Sequence, residues 1–321
     1  MGLIERPAAT ADRGAIPPSV TADSPAAAMR DRLAAYIGPE ADRLLQLCPR
    51  DRGRFLGHNH VEILAELAGL EPDDPTIAGL TVPYVLLATH YFLIDAVVDG
   101  HASDANDVLA TGPLLFLVSV LLGEEVARLA PTARQALLRK IALRVTANAD
   151  AVRLETERRR GWEAPNELDY RAAAGRSNST LLFYDVLCAL NGHDADPAVE
   201  ALLTDLLYHL QTGDDLGDWR DDLRAGNHTM LLRECAARLS SGGEPDPRAI
   251  ERELLLGGLY ELYVGRLIKN LDRIGAEFAD LAHVRSGQAQ AYIAAARKIA
   301  LRLLTDVVST KLAFVAGAAA C

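Results

Sequence analysis

The chain is poor in several things that would have settled its class at once. Only 5 % of its 321 residues are aromatic, and it has four cysteines. Those four, Cys48, Cys188, Cys235 and Cys321, are scattered. They form neither a disulfide framework nor a spacing that holds a metal. No apolar run reaches the roughly 18 residues that cross a bilayer. The most apolar stretch, Val82 to Val98, is interrupted by His90 and Asp95. The N-terminus has no basic region followed by an apolar one, so no secretory signal is read and a reducing cytoplasm is expected. Lys and Arg number 33 against 44 Asp and Glu, and the net charge of −11 argues against a nucleic-acid surface. An anionic small molecule is still allowed, because a bound cation can invert the local sign.

Alternating β-branched runs are also scarce. Leu, Ala, Arg and Glu dominate from Ala26 onward, and turn clusters separate stretches of helical length. Breaks are expected near Pro49–Gly57, Glu71–Pro75, Gly100–Asp107, Gly161–Asn166, Asn191–Pro197, Gly226–Thr229, Ser240–Pro247 and Gly275–Ala282. Ser24-Pro25 offers a start signal for the first helix. Residues 1–25, rich in Ala, Pro, Ser, Thr and Asp, read as a disordered tail. Residues 26–321 read as one all-α domain, a single helical bundle with a central cavity. No internal repeat is found.

The most informative segment runs from Leu203 to Gly226. At about 100° per residue, Gln211, Asp214, Asp215, Asp218 and Asp222 share one stripe, continued upstream by Leu203, Leu207 and Tyr208. The inward face thus begins apolar and turns into a column of carboxylates. Carboxylates three and four residues apart repel each other, and burial raises the cost. A solvated face is one solution and bound cations are the other. The apolar continuation of the stripe, with Gly213 and Gly217 inside the helix, favours a metal, and hard oxygen donors on a rigid helix suit Mg²⁺. A second acidic pair, Asp95 and Asp99, stands one turn apart at the end of a helix that is apolar nearly all round. The two acidic helices are expected to face each other across the cavity and clamp a metal-bound diphosphate.

These residues resemble the trans-isoprenoid synthase superfamily, the class I terpenoid synthase fold. Gln211, Asp214, Asp215 and Asp218 match the second motif of its prenyl diphosphate synthases, Q-x-x-D-D-x-x-D, position for position. Asp218-Trp219-Arg220-Asp221-Asp222, with Arg224 and Gly226, is similar to the D-x-x-E-D motif of squalene and phytoene synthases. The first motif, D-D-x-x-D, is present as Asp95-Ala96-Val97-Val98-Asp99, lacking one aspartate. The likeness spans roughly Arg52 to Gly226. It implies more than one Mg²⁺ ion, held by Asp95, Asp99, Asp214, Asp215, Asp218 and Asp222, with an allylic prenyl diphosphate as substrate. Asp95, Asp99, Asp218 and Arg176 are then the catalytic candidates. Gln211, Arg171, Arg176, Arg224 and Asn227 are candidates for substrate binding. For both Arg171 and Arg176 a surface ion pair with Asp169 or Glu167 is the competing reading. Tyr91, Phe92, Phe183 and Tyr208 are candidates for the hydrocarbon wall, with ordinary core packing as the alternative. His90, His101 and His209 form no metal-like set. The run Arg158–Arg160 reads as a solvated helix end. A homodimer is compatible with the resemblance.

Departures from the pattern bear on subclass. Chain-elongating synthases hold their second diphosphate with a G-K-x-R-P-like segment and an R-R-G after the first motif. Here the corresponding stretches are Arg52-Gly53-Arg54 and Gly100-His101-Ala102-Ser103, and the second carries no arginine. Arg139-Lys140 is the only further basic candidate. The resemblance therefore points to a terpene synthase that ionises one allylic diphosphate. The usual cyclase second motif, N-D-x-x-S-x-x-x-E, is absent. A prenyltransferase, elongating or head-to-head, and an inactive partner subunit are the alternatives.

Overall fold

The computed structural model describes residues 58–98, 105–239 and 244–319, with scattered positions between 31 and 41; at 58–59, 92–98, 105–111, 113, 313 and 317–319 it describes backbone alone. The expected tail, the Ser24-Pro25 start signal, Arg52, Arg54 and Asp99 lie outside the described residues. The chain divides into two compact units, Met1–Gln46 and Leu47–Cys321. All elements named below belong to the second.

Local chemistry sets most helix ends. Asp196 and Asp246 accept hydrogen bonds from Ala198 N–H (2.8 Å) and Arg248 N–H (3.2 Å), each just ahead of a proline in the first helical turn. Asn166 and Asp169 form a reciprocal capping box. Gly226, at φ +72°, ends the acidic helix in the left-handed conformation that glycine adopts without penalty.

Among the described residues eleven helices follow in order: α1 (His58–Leu67), α2 (Pro75–Val98), α3 (Ala105–Ala127), α4 (Pro131–Arg158), α5 (Glu167–Gly175), α6 (Asn178–Leu190), α7 (Pro197–Ala225), α8 (Met230–Leu239), α9 (Pro247–Leu256), α10 (Leu259–Asp280) and α11 (Gly287–Ala319). More than four fifths of the described residues are helical and none is in a strand, so the fold is all-α. Three boundaries depart from the sequence reading. Helices α3 and α4 are separated at residues 128–130, where Pro131 starts a new helix, α5 and α6 at Arg176-Ser177, and α9 and α10 at Gly257-Gly258. The break expected near Gly275–Ala282 is present and begins after Asp280, leaving Gly275 within the helix. That glycine sits inside α10 and lets α11 approach closely, its carbonyl accepting Gln290 Nε2 at 2.5 Å.

Helix α6 is the axis of the bundle. Every residue from Leu181 to Cys188 is buried, and the helix packs against α1, α2, α4 and α7. Each such large apolar side chain contributes about 1.5–3 kcal/mol on burial. The one carboxylate in that stretch, Asp185, is held by Lys140 at 2.6 Å and Arg144 at 2.9 Å. Helix α7 is braced from the other side by α10 and α5. The two aspartate-bearing helices, α2 and α7, thus share α6 as a neighbour.

Candidate active site

Along α7 the buried face is turned towards Asp215 and Trp219. Asp215 and Asp222 are 7 % and 4 % exposed, Gln211 and Asp218 are half-buried, and Asp214 stands at the exposed edge. Asp221 is exposed and pairs with Arg224 at 2.5 Å. The column expected from the sequence is present, rotated so that two of its carboxylates are desolvated.

Burial is the main reason that the Asp215 carboxyl is pushed up to about 7; Arg159 opposes the shift, while Glu155, Asp222 and Asp214 add to it. Gln211 Nε2 donates to Asp215 Oδ1 at 3.4 Å. Arg159 Nη2 lies 3.7 Å from the same oxygen and 2.8 Å from Glu155 Oε1. The other Glu155 oxygen takes Arg176 Nη1 at 3.1 Å. Asn227 Nδ2 donates to Asp222 Oδ1 at 2.8 Å, and Asn227 Oδ1 accepts from Arg159 Nη1 at 3.5 Å. A chain of charge therefore runs from Arg176 through Glu155 and Arg159 to Asp215, and through Asn227 to Asp222.

This network opens on a groove of about 310 Å³, counting the space open to solvent at its mouth. Gln211 and Asp215 line it from α7, Glu155, Arg158 and Arg159 from the end of α4, and Asp169 and Arg233 from below. Asp169 binds Arg158 through two 3.0 Å hydrogen bonds and also binds Arg233, which is 1 % exposed. These contacts hold the Asp169 carboxyl down at about 2 in spite of its burial. Beside the groove the Trp162 and His228 rings stack at 3.8 Å.

Of the sequence candidates, Gln211, Asp215, Asp222, Arg176 and Asn227 join this network. Arg171 does not: its side chain is 71 % exposed and pairs with Glu167 one helical turn away. Arg224 likewise faces outward, to Asp221. Phe183 is fully buried and packs edge-on to Tyr84 at 5.0 Å, so it serves the core and lines no open groove. Tyr208 and Tyr91 are half-buried. The Asp95 and Phe92 side chains lie outside the described residues, although both positions are on α2.

Sequence reasoning missed Glu155, Arg158, Arg159, Asp169 and Arg233. The run Arg158–Arg160 was expected to be solvated, yet Arg158 and Arg159 are 19 % and 12 % exposed and committed to buried carboxylates. The signal that was available is the acid on each side, Glu155 three and four residues before the pair and Asp169 some ten residues after it.

Among the described residues no three His, Cys, Asp or Glu side chains converge closely enough to hold a metal ion by themselves. Helix α7 supplies one wall of hard oxygen donors, and burial together with the acidic neighbours Glu155, Asp222 and Asp214 disfavours the charged form of Asp215, a cost that a bound cation would offset.

No protein-family model matches the chain, and no curated protein matches it. Among solved structures it is similar to a polyprenyl synthase from Caulobacter crescentus CB15, a crystal structure complexed with calcium and isoprenyl diphosphate. The two share 19 % identity with a TM-score of 0.57, over 85 % of this chain and 95 % of that one. The two proteins share an all-α fold.

Proposed function

We propose that the chain is a Mg²⁺-dependent terpene synthase that ionises one allylic prenyl diphosphate and releases diphosphate. The observation that carries this reading is the α7 column, in which desolvated Asp215 lines a groove also reached by cationic side chains, while half-buried Asp218 and desolvated Asp222 continue the same face of the helix. The residues that would hold more than one Mg²⁺ are Asp95, Asp99, Asp214, Asp215, Asp218 and Asp222. Bound there, the metal would supply charge neutralisation for the departing diphosphate. Gln211 orients Asp215 by hydrogen bond. Arg176 and Arg159 offer planar, bidentate donors suited to phosphate oxygens. Tyr91, Phe92 and Tyr208 are the candidates for the hydrocarbon wall, where ring faces would stabilise an allylic cation.

A prenyltransferase is the second reading, favoured by the polyprenyl synthase likeness. The comparison structure, a polyprenyl synthase, was solved with calcium and isoprenyl diphosphate. Against it stands the scarcity of cations for a second diphosphate, since two polyanions repel at short range. No arginine stands between Asp99 and Arg128, and Lys140 is committed to buried Asp185. The test is to incubate the protein and Mg²⁺ with C10, C15 and C20 allylic diphosphates, with and without labelled isopentenyl diphosphate. The terpene synthase reading expects one allylic diphosphate to be consumed and no longer chain to form. Label entering an elongated product at the rate of allylic consumption would replace it with the second reading.

A further inference from the structure

Arg159, offered above as a donor to phosphate oxygens, also contacts the acid column itself. Arg159 stands at the C-cap of α4, its main-chain carbonyl accepting the His228 N–H at 3.0 Å. Its backbone is thereby fixed to the loop that leaves α7. Its guanidinium reaches into the site and touches carboxylates of two helices, Glu155 at 2.8 Å and Asp215 at 3.7 Å. Through Glu155 it shares a carboxylate with Arg176, and through Asn227 it shares a partner with Asp222.

A guanidinium beside Asp215 does for that carboxylate what a metal ion would do: it supplies positive charge to a buried anion. Both cannot crowd the same oxygen, because like charges a few ångströms apart in a poorly solvated site repel strongly. The side chain has several rotatable bonds beyond its fixed backbone, so it can leave without moving a helix. On leaving Asp215 it needs another anion, and a diphosphate offers it a bidentate one.

We infer that Arg159 is the resident counter-ion of the acid column, displaced from Asp215 when metal enters and taken up by the diphosphate, so that the two ligands bind as a coupled pair. The inference rests on the metal-dependent reading given above. It assigns Arg159 a positioning role: the residue withholds the column from Mg²⁺ alone and releases it when the diphosphate arrives. Coupling of this kind is reciprocal, so each ligand must raise the affinity for the other by the same factor.

The test is calorimetric titration of the full chain with Mg²⁺, alone and with inorganic pyrophosphate, corrected for the complex that the two form in solution. Wild type is expected to bind Mg²⁺ about tenfold or more tightly when pyrophosphate is present. Arg159→Gln is expected to bind Mg²⁺ alone about tenfold more tightly than wild type and to lose most of the pyrophosphate enhancement. Arg159→Lys, which keeps the charge, is expected to retain the coupling and serves if the glutamine variant fails to fold. Equal Mg²⁺ affinities and equal enhancement in wild type and Arg159→Gln would overturn the inference while leaving the metal reading intact. Wild type that binds no Mg²⁺ even with pyrophosphate would overturn both.

Discussion

Replacing Asp169 with Asn tests whether the floor of the groove is held by charge. The carboxylate accepts two 3.0 Å hydrogen bonds from Arg158 and one of 2.8 Å from the Asn166 N–H, and it pairs with Arg233. Asparagine keeps the shape and the cap acceptor but removes the charge. Arg158 still has Glu163 at 2.6 Å, whereas Arg233, 1 % exposed, is left as a buried cation without its carboxylate. Breaking a buried pair from one side costs about 3–5 kcal/mol. That corresponds to a fall in Tm of roughly 5–15 °C for a chain of this size. The carboxyl gives a second handle. Its folded-state pKa is about 2 against an ordinary 3.8. The stabilisation it provides is therefore complete above 3.8 and lost as pH falls from 3.8 towards 2, amounting to about 2 kcal/mol. Urea unfolding followed by helical circular dichroism should show a wide gap between wild type and Asp169→Asn at neutral pH that narrows below pH 3.8. The double variant with Arg233→Met should recover part of the loss. A loss under about 1 kcal/mol at neutral pH, or a gap indifferent to acid, would refute the buried-pair account.

His60 and Gly175 give two further expectations. His60 lies between the Tyr84 and Tyr292 hydroxyls at 2.7 and 2.9 Å, and burial lowers its pKa from 6.5 to about 4, so stability should fall by up to about 3 kcal/mol as pH drops from 6.5 through 4. His60→Phe should flatten that slope in unfolding titrations, and an unchanged slope would assign the acid sensitivity elsewhere. A Cβ on Gly175 would come within 2.7 Å of Ala151 Cβ, so Gly175→Ala should push α5 off α4 at a cost of about 1–3 kcal/mol, whereas Gly217→Ala, which meets nothing within 4 Å, should gain about 0.5–1 kcal/mol from helix propensity. Equal Tm shifts for the two glycine variants would contradict the described packing of α4 on α5.

The all-α class and most helix boundaries were legible because caps and breakers act locally. Asp196-Pro197 and Asp246-Pro247 announce helices without help from tertiary structure. The break near Gly275–Ala282 was legible too, but not that Gly275 itself stays within α10, where its contact with Gln290 on another helix leaves no local signal. The acid column followed from periodicity, since spacing of three and four fixes a common face. Its rotation towards Asp215 and Trp219 did not follow, because which edge is buried depends on where α5 and α10 pack. The cationic half of the groove was missed for a similar reason. A run such as Arg158–Arg160 has the composition of a solvated end, and only the fold brings Asp169, Asp215 and Arg233 against it.

The central claim is that the α7 column performs metal-dependent departure of diphosphate, and Asp218 and Asp221 separate it from a merely acidic helix. Asp218 is half-buried on the column, while Asp221, three residues on, is exposed and paired with Arg224. The measurement is diphosphate release from an allylic prenyl diphosphate at saturating substrate and Mg²⁺, for wild type, Asp218→Ala and Asp221→Ala, with circular dichroism as the check on folding. Removing a group needed most as charge develops on the leaving group should lower the rate by about a hundredfold or more. Asp218→Ala should therefore be nearly silent and fully folded, and Asp221→Ala should work close to wild type. Comparable rates in the two variants, or release by wild type that persists with the metal chelated, would contradict the claim.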